Sequence, residues 1–106
     1  MIAWRGWRPR RVLVRGPSMS PALSDGDVVL ARMTNSARAG AVVLVRWRQR
    51  PAQLSVKRAV EAVGAQWFVL GDNPDGSTDS RTLGPATVVA VVVWRLWPEP
   101  GRVGRQ

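Results

Sequence analysis

Short valine-rich runs, repeatedly interrupted by glycine, proline, asparagine and aspartate, are the feature that most constrains how this chain can fold. β-Branched residues favour strands because their stiff side chains fit a pleated surface, whereas glycine and proline end regular elements. No window has the apolar spacing of a long amphipathic helix. The pattern therefore predicts a mostly β fold of short strands without a long helix. The predicted strands are Val12–Arg15, Asp27–Arg32, Ala41–Trp47, Leu54–Val63, Gln66–Leu70 and Thr87–Arg95.

Length and residue types limit the chain to one domain and exclude several chemistries. With 106 residues, 45% of them hydrophobic, it can bury one modest core. It contains no cysteine and no histidine. Disulfides, thiolate or imidazole metal sites and the Ser-His-Asp triad are therefore excluded. A metal site made of carboxylates alone has no motif here, so we expect no metal and no other cofactor.

The charge balance favours acidic partners. The formal net charge is +9 and the isoelectric point is about 11.9, which suits a nucleic acid or an anionic membrane surface. No nucleic-acid-binding motif supports the first alternative, so nucleic acid is not expected as a partner. The basic segment 1–11, MIAWRGWRPRR, carries Trp4 and Trp7 among arginines, and we expect it to allow peripheral membrane contact. It has no apolar run long enough for a signal peptide or a membrane span.

One lysine stands among 16 basic residues, and the other fifteen are arginines. Lys57 lies in the run LSVKRAV, where strand alternation directs it to the same face as Ser55 and Ala59 and directs Arg58 to the other, where we expect it to be solvated. A buried lysine can lose its proton, whereas an arginine effectively cannot. To act as a base near neutral pH, its pKa must fall from about 10.4 towards roughly 7 or 8.

Two polar segments offer further candidate residues. In RGPSMSPALSDGD, Ser18 lies in a Gly-Pro turn that would present its hydroxyl and leave its backbone N–H free to bind an oxyanion. In VLGDNPDGSTDSRTLGP, a Gly-Asp-Asn-Pro turn precedes Ser77, Asp79 and Arg81 in alternation. Taken singly, each segment is also compatible with an ordinary turn serine or an exposed ion pair.

The order GPSMSP, GD, VKRAV and GDNPDGSTDSR resembles the type I signal peptidases and their relatives, the Ser-Lys serine proteases of the S26 family. The resemblance extends over about Val12 to Pro98. It implies a small signal-peptidase- or LexA-like β core in which Ser18 is the nucleophile and Lys57 the general base. It further implies that Ser77 orients the lysine amine.

The resemblance also assigns supporting roles. Asp79 and Arg81 match a polar pair that holds the segment GDNPDGSTDSR, here called the box, in place. Met19 would pack beneath the nucleophile. Gly16 stands where a hydroxyl residue often completes the oxyanion hole in bacterial relatives. We therefore expect the hole to rest on the Ser18 N–H and on a neighbouring amide or a water.

The predicted organisation is a basic segment 1–11, a peptidase domain 12–98 and a polar tail 99–106. No stretch that could form a membrane anchor precedes Ser18, and the chain resembles the compact proteases proposed to mature nickel-containing superoxide dismutase. The resemblance thus predicts a serine endopeptidase, located in the cytoplasm or at the membrane periphery, that removes an N-terminal extension from a precursor. The expected precursor is that of nickel superoxide dismutase.

Three alternative functions compete with this prediction. A membrane-peripheral signal peptidase, held by the tryptophans and arginines of segment 1–11, is the first. A self-cleaving LexA-like repressor would need a cleavable bond upstream of Ser18, yet the one Ala-Gly pair of this sequence, Ala39-Gly40, lies after it. An inactive basic adaptor for nucleic acid or anionic lipid is the third, and it would keep its binding when Ser18 and Lys57 are both replaced by alanine.

Overall fold

The computed structural model describes residues 9–103, and strands dominate that range. The helical elements described are a 3-10 turn at Pro74–Gly76 and the short helix α1 at Ser80–Leu83. The predicted mostly β fold without a long helix is confirmed. The strands are β1 (Pro9–Leu13), β2 (Val28–Met33), β3 (Val42–Arg46), β4 (Ser55–Val63), β5 (Gln66–Leu70), β6 (Thr87–Trp97) and β7 (Gly101–Arg102).

The strands form one antiparallel sheet in the order β1-β2-β6-β3-β4-β5, with β7 paired to β6. The long strand β6 thus lies between β2 and β3, although it comes late in the chain. β1 and β5 are the two edges of this order. The arrangement places β4, which carries Lys57, between β3 and β5.

Apolar side chains collect in two clusters. Strand alternation in β3 sends Val42 and Leu44 to the first cluster and Val43 and Val45 to the second. The register of β3 against β6 shifts between Leu44 and Val45. Each fully buried aliphatic side chain contributes roughly 1.5–3 kcal/mol, so these clusters hold the sheet together.

The largest differences from the predicted strands concern β1, β6 and β7. β1 begins at Pro9 instead of Val12, and β6 continues to Trp97. β7 lies inside the segment that was predicted to be a polar tail, because its backbone pairs with β6 and Val103 N–H donates to Val93 O at 3.2 Å. Residues 1–8, with Trp4 and Trp7, and residues 104–106 lie outside the described range.

Between residues 9 and 103, no helix combines the length and the apolar character that crossing a membrane requires.

Candidate active site

The loop between β1 and β2 positions Ser18. It is closed at its base by hydrogen bonds from Val14 N–H to Asp27 O and from Gly26 N–H to Val14 O, both 2.8 Å. Met19 is 1% exposed and belongs to the first apolar cluster, so the main chain beside Ser18 is anchored on the core. The half-buried Ser18 hydroxyl donates to the backbone carbonyl of Val56 in β4 at 3.4 Å.

Lys57 is buried in β4, with only 5% of its surface exposed. Its Nζ donates to Ser77 Oγ at 3.1 Å, and Ser77 Oγ in turn donates to Asp79 Oδ2 at 3.1 Å. Because the Ser77 proton is directed at the carboxylate, a Ser77 lone pair faces the amine. The chain of contacts fixes the lysine amine without bringing a carboxylate into direct contact with it.

Asp79 is the most heavily bonded side chain of the box, and it is 1% exposed. Its oxygens accept hydrogen bonds from the Gly71 backbone N–H at 3.0 Å and from Arg81 Nε and Nη2, each at 3.0 Å. It also caps α1 by accepting from the Arg81 backbone N–H at 3.2 Å. The Asp79–Arg81 pair that the resemblance implied is therefore present, and it holds the segment that carries Ser77.

Burial lowers the pKa of Lys57 because it disfavours the charged form. The Asp79 carboxylate opposes this effect and raises the Lys57 pKa, while the Arg50 guanidinium lowers it. For Asp79, burial alone would raise the pKa, but the hydrogen bonds from Arg81, Gly71 and Ser77 outweigh it and lower the pKa to about 2. At neutral pH the site thus combines a fixed carboxylate with an amine biased towards its neutral form.

Ser18 and Lys57 line the same cleft of about 350 Å³. They come from separate parts of the chain, and the packing of the β1–β2 loop against β4 brings them together. No acidic side chain lines this cleft within residues 9–103. The lining residues are Arg15, Gly16, Pro17, Ser18, Arg50, Gln53, Leu54, Ser55, Val56, Lys57, Gly76 and Thr78.

The Gly-Asp-Asn turn clamps the serine loop, a role that sequence reasoning did not assign. Asn73 N–H donates to Ser18 O at 2.8 Å, and Asn73 Nδ2 donates to Pro17 O at 3.1 Å. A Cβ on Gly71 would fall on the Ser77 hydroxyl and would lie 2.7 Å from Ser18 O. Only glycine therefore lets the turn approach both serines. The GDN motif was the available signal, but sequence alone did not reveal what it contacts.

Arg58 corrects one prediction, because it was expected to be solvated. It lies on the opposite face of β4 from Lys57 as predicted, yet it is only 7% exposed. Its Nη2 pairs with Asp72 Oδ2 at 2.6 Å, its Nε donates to Asp72 Oδ1 at 3.1 Å, and Nη1 donates to Gly40 O at 3.0 Å. The two-pronged contact with a carboxylate compensates the lost hydration.

The backbone amides of Gly16 and Ser18 differ at the expected oxyanion hole. The Gly16 N–H is already committed to Asp25 Oδ1 at 2.7 Å, and its backbone has φ +82, a conformation that favours glycine. In contrast, the Ser18 N–H has no hydrogen-bond acceptor among residues 9–103. The expected second donor is therefore not Gly16.

Across residues 9–103, no group of three or more His, Cys, Asp or Glu side chains is placed to hold a metal ion.

Comparison with known proteins identifies the fold family. The pattern of the family described as Peptidase S24-like matches residues 11–93, which include Ser18, Lys57 and the whole box. The chain belongs to the Peptidase S24-like family. Membership implies a serine hydrolase that acts on proteins, and a mostly β domain of this size is consistent with the family fold.

A relative extends the Peptidase S24-like assignment towards signal peptidases. The mitochondrial inner membrane protease subunit 1 of Xenopus tropicalis is 26% identical to this chain, over an alignment of length 114 that covers 82% of this chain and 68% of the relative. The resemblance to signal-peptidase-like serine proteases is thereby confirmed at the level of the family. Neither similarity bears on the nickel superoxide dismutase maturation subgroup.

Proposed function

We propose that this chain is a serine endopeptidase that uses Ser18 as nucleophile and Lys57 as general base. One observation carries the proposal: the desolvated Lys57 amine, held by Ser77 Oγ at 3.1 Å, lines the same cleft as the Ser18 hydroxyl. A buried lysine that loses its proton can activate a serine where no histidine is present.

Cleavage proceeds in two steps, the acylation of Ser18 and the hydrolysis of the resulting ester. Ser18 Oγ attacks the peptide carbonyl carbon while its proton passes to the neutral Lys57 amine. The ammonium then returns that proton to the leaving amine, which departs as the C–N bond breaks and leaves an ester on Ser18. A water then attacks the ester carbonyl while Lys57 takes its proton. The ammonium returns that proton to Ser18 Oγ as the ester C–O bond breaks, which releases the acid product and restores the free serine.

The free enzyme holds the nucleophile in a resting contact. Ser18 Oγ donates to Val56 O at 3.4 Å, a long hydrogen bond for a hydroxyl. For the proposed catalysis, the Ser18 hydroxyl must donate to the Lys57 amine instead of to Val56 O. The unengaged Ser18 N–H would then bind the oxyanion that forms on the carbonyl oxygen.

An extended peptide has a backbone edge to pair with in the cleft. β3 pairs with Ser55, Val56 and Lys57 on one side of β4, whereas the pairing of β4 with β5 begins only at Arg58. Among the described residues the other edge of Ser55–Lys57 has no strand partner. Strand addition there would give affinity through main-chain hydrogen bonds that do not depend on side chains.

Replacement of Ser18 by alanine tests the catalytic assignment. We expect peptide cleavage to fall at least about a thousandfold, because no other group replaces the attacking oxygen. Ser20→Ala is the matched control, since it changes a serine of the same loop that does not line the cleft. Cleavage retained by Ser18→Ala, with the protein shown to be free of contaminating protease, would remove Ser18 from the mechanism.

The finer substrate assignment rests on the resemblance of the GDNP box and the compact core. We propose the N-terminal extension of a nickel superoxide dismutase precursor as substrate, with processing in the cytoplasm. Co-expression of that precursor with the wild type or with Ser18→Ala, followed by intact-mass measurement, tests this. Removal of the extension by the wild type alone supports the proposal, and an uncut precursor in both cultures contradicts it.

A signal-peptidase-like protease acting at a membrane surface is the second candidate. It is favoured by the similarity to a protein named as an inner membrane protease subunit. A signal-peptide substrate presented in lipid vesicles distinguishes the two. Cleavage of this substrate, combined with an uncut superoxide dismutase precursor, would favour the second candidate.

A further inference from the structure

A second cleft lies away from Ser18 and Lys57 and is larger, with a volume of about 760 Å³. It shares no lining residue with the cleft of the proposed active site. Part of it follows β6, where the pairing with β3 has reached Val91 and the pairing with β7 begins at Trp94. The interruption between β3 and β7 leaves a recess on the sheet.

The wall of this recess combines apolar side chains with arginines. Leu30, Val91, Val93 and Trp94 are among the lining residues, and Trp94 is 39% exposed. Three arginines also line it: Arg32 from β2, Arg38 from the β2–β3 loop and Arg102 from β7. No carboxylate lines the recess within residues 9–103. Three arginines therefore line a partly apolar recess whose described lining residues include no acidic side chain.

Arg32 supplies an independent sign that an acceptor belongs here. Its Nε is buried, and it has no hydrogen-bond partner among the described residues. Buried donors in native proteins are almost always satisfied. The neighbouring arginines cannot satisfy this one, because a guanidinium has donors and no acceptor. An oxyanion could accept from Nε and from a terminal nitrogen of Arg32 at once.

We propose that this recess binds a small organic anion with a carboxylate or phosphate head and an apolar body. The head would be held by Arg32, with Arg38 and Arg102 neutralising its charge, and the body would cover Val91, Val93 and Trp94. The cleft volume falls in the range of roughly 300–1,000 Å³ that small-molecule sites occupy. A recess of this kind suits a compact ligand better than a flat membrane surface.

Calorimetric titration with defined amphiphiles tests the proposal. Sodium decanoate and decyl phosphate, each kept below its micelle concentration, should bind the intact protein with one-to-one stoichiometry. Acetate, which lacks the apolar body, and octyl glucoside, which lacks the charge, should bind much more weakly. Comparison of decanoate with decyl phosphate then identifies which oxyanion head the arginines prefer.

Matched variants locate the site. Arg32→Gln should weaken decanoate binding at least about tenfold, since it removes charge-assisted hydrogen bonds. Arg46→Gln removes the same charge from an exposed position outside both clefts and should change the affinity less than about twofold. If Arg32→Gln folds poorly by circular dichroism, Arg38→Gln and Arg102→Gln replace it.

Two results would overturn the inference. The first is equal binding by the Arg46→Gln protein and by all folded variants of the recess arginines, which would show only general attraction to a basic protein. The second is binding of phosphatidylglycerol vesicles without binding of free decanoate or decyl phosphate, which would make the recess part of a membrane surface.

Discussion

Lys57 and Arg58 are consecutive, basic and almost equally buried, with 5% and 7% of their surfaces exposed, yet their surroundings are opposite. Arg58 contacts the Asp72 carboxylate and the Gly40 carbonyl, which satisfy its buried donors. Lys57 contacts a neutral hydroxyl, and burial lowers its pKa. Alternation along β4 lets one strand present a structural cation on one face and a reactive amine on the other.

The difference shows why the residue types are not interchangeable. A guanidinium retains its proton in nearly any protein environment, so it needs an anionic partner when buried. An ammonium can instead respond to burial by releasing its proton. The arginine of the Lys-Arg pair thus lies on the side of β4 where a carboxylate contacts it directly. The lysine lies on the side where its direct contact is a hydroxyl.

The largest expected effect comes from making the two positions alike. Lys57→Arg keeps a positive charge but removes a group that can lose its proton. Peptide cleavage should fall by about 10⁴-fold, the upper range for loss of a general base. Initial rates on an extended peptide measure this, with Arg48→Lys as a control at an exposed position. Activity above a few per cent of wild type would show that Lys57 is not the base.

Removing the anion that Arg58 contacts should affect the stability of the protein. Asp72→Ala leaves Arg58 buried without its carboxylate, and it should lower the free energy of unfolding by about 3 kcal/mol. Urea denaturation measures this, and Asp75→Ala, at an exposed carboxylate of the same turn, should have little effect. A loss below about 0.5 kcal/mol, typical of exposed sites, would mean that the pair is not structurally important.

Ser77→Ala tests how the Lys57 amine is positioned. The lysine amine would lose its hydrogen-bond partner and its fixed position, so turnover should fall about 10- to 100-fold while the protein remains folded. Activity of the wild type should also rise with pH as Lys57 is deprotonated through its lowered pKa. A changed pH profile in Ser77→Ala, but not in Ser24→Ala, would assign Ser77 a positioning role. An unchanged rate and profile would contradict it.

The smallest effect concerns stability as a function of pH. Because burial lowers the Lys57 pKa in the folded state, the unfolded chain binds more protons between that pKa and the ordinary value of 10.5. Stability of the wild type should therefore rise with pH across this window and stay level below it. Lys57→Met should lack this rise and be more stable than wild type at neutral pH. If the melting temperatures of the wild type and of Lys57→Met change in parallel with pH, the lowered pKa of Lys57 is contradicted.

Part of the site was accessible to sequence reasoning because its residues carry local signals. Ser18 lies in a Gly-Pro turn, Lys57 is the only lysine, and Ser77, Asp79 and Arg81 follow one another within a single short segment. Contacts inside that segment, such as the Asp79–Arg81 pair, connect residues two positions apart and could be predicted. Their catalytic roles stay predictions until the variants are measured.

Contacts between segments that are distant in the chain could not be predicted from the sequence. The clamp of Asn73 on Pro17 and Ser18, the approach of Gly71 to both serines and the pairing of Arg58 with Asp72 all join parts of the chain that meet only in the folded sheet. Arg58 was predicted to be solvated because a strand pattern gives the face of a residue but not what covers that face.

The sequence by itself determined the strand-rich class, the approximate strand positions and the family-specific set of polar residues, since propensity, turn chemistry and motif spacing are properties of local sequence. Only the tertiary structure decided the strand order that inserts β6 between β2 and β3, the pairing of β7, and the two clefts with their different electrostatics. These features depend on which faces are covered, and burial is set by contacts between segments distant in the chain. For the same reason, two neighbouring basic residues could acquire opposite electrostatic surroundings.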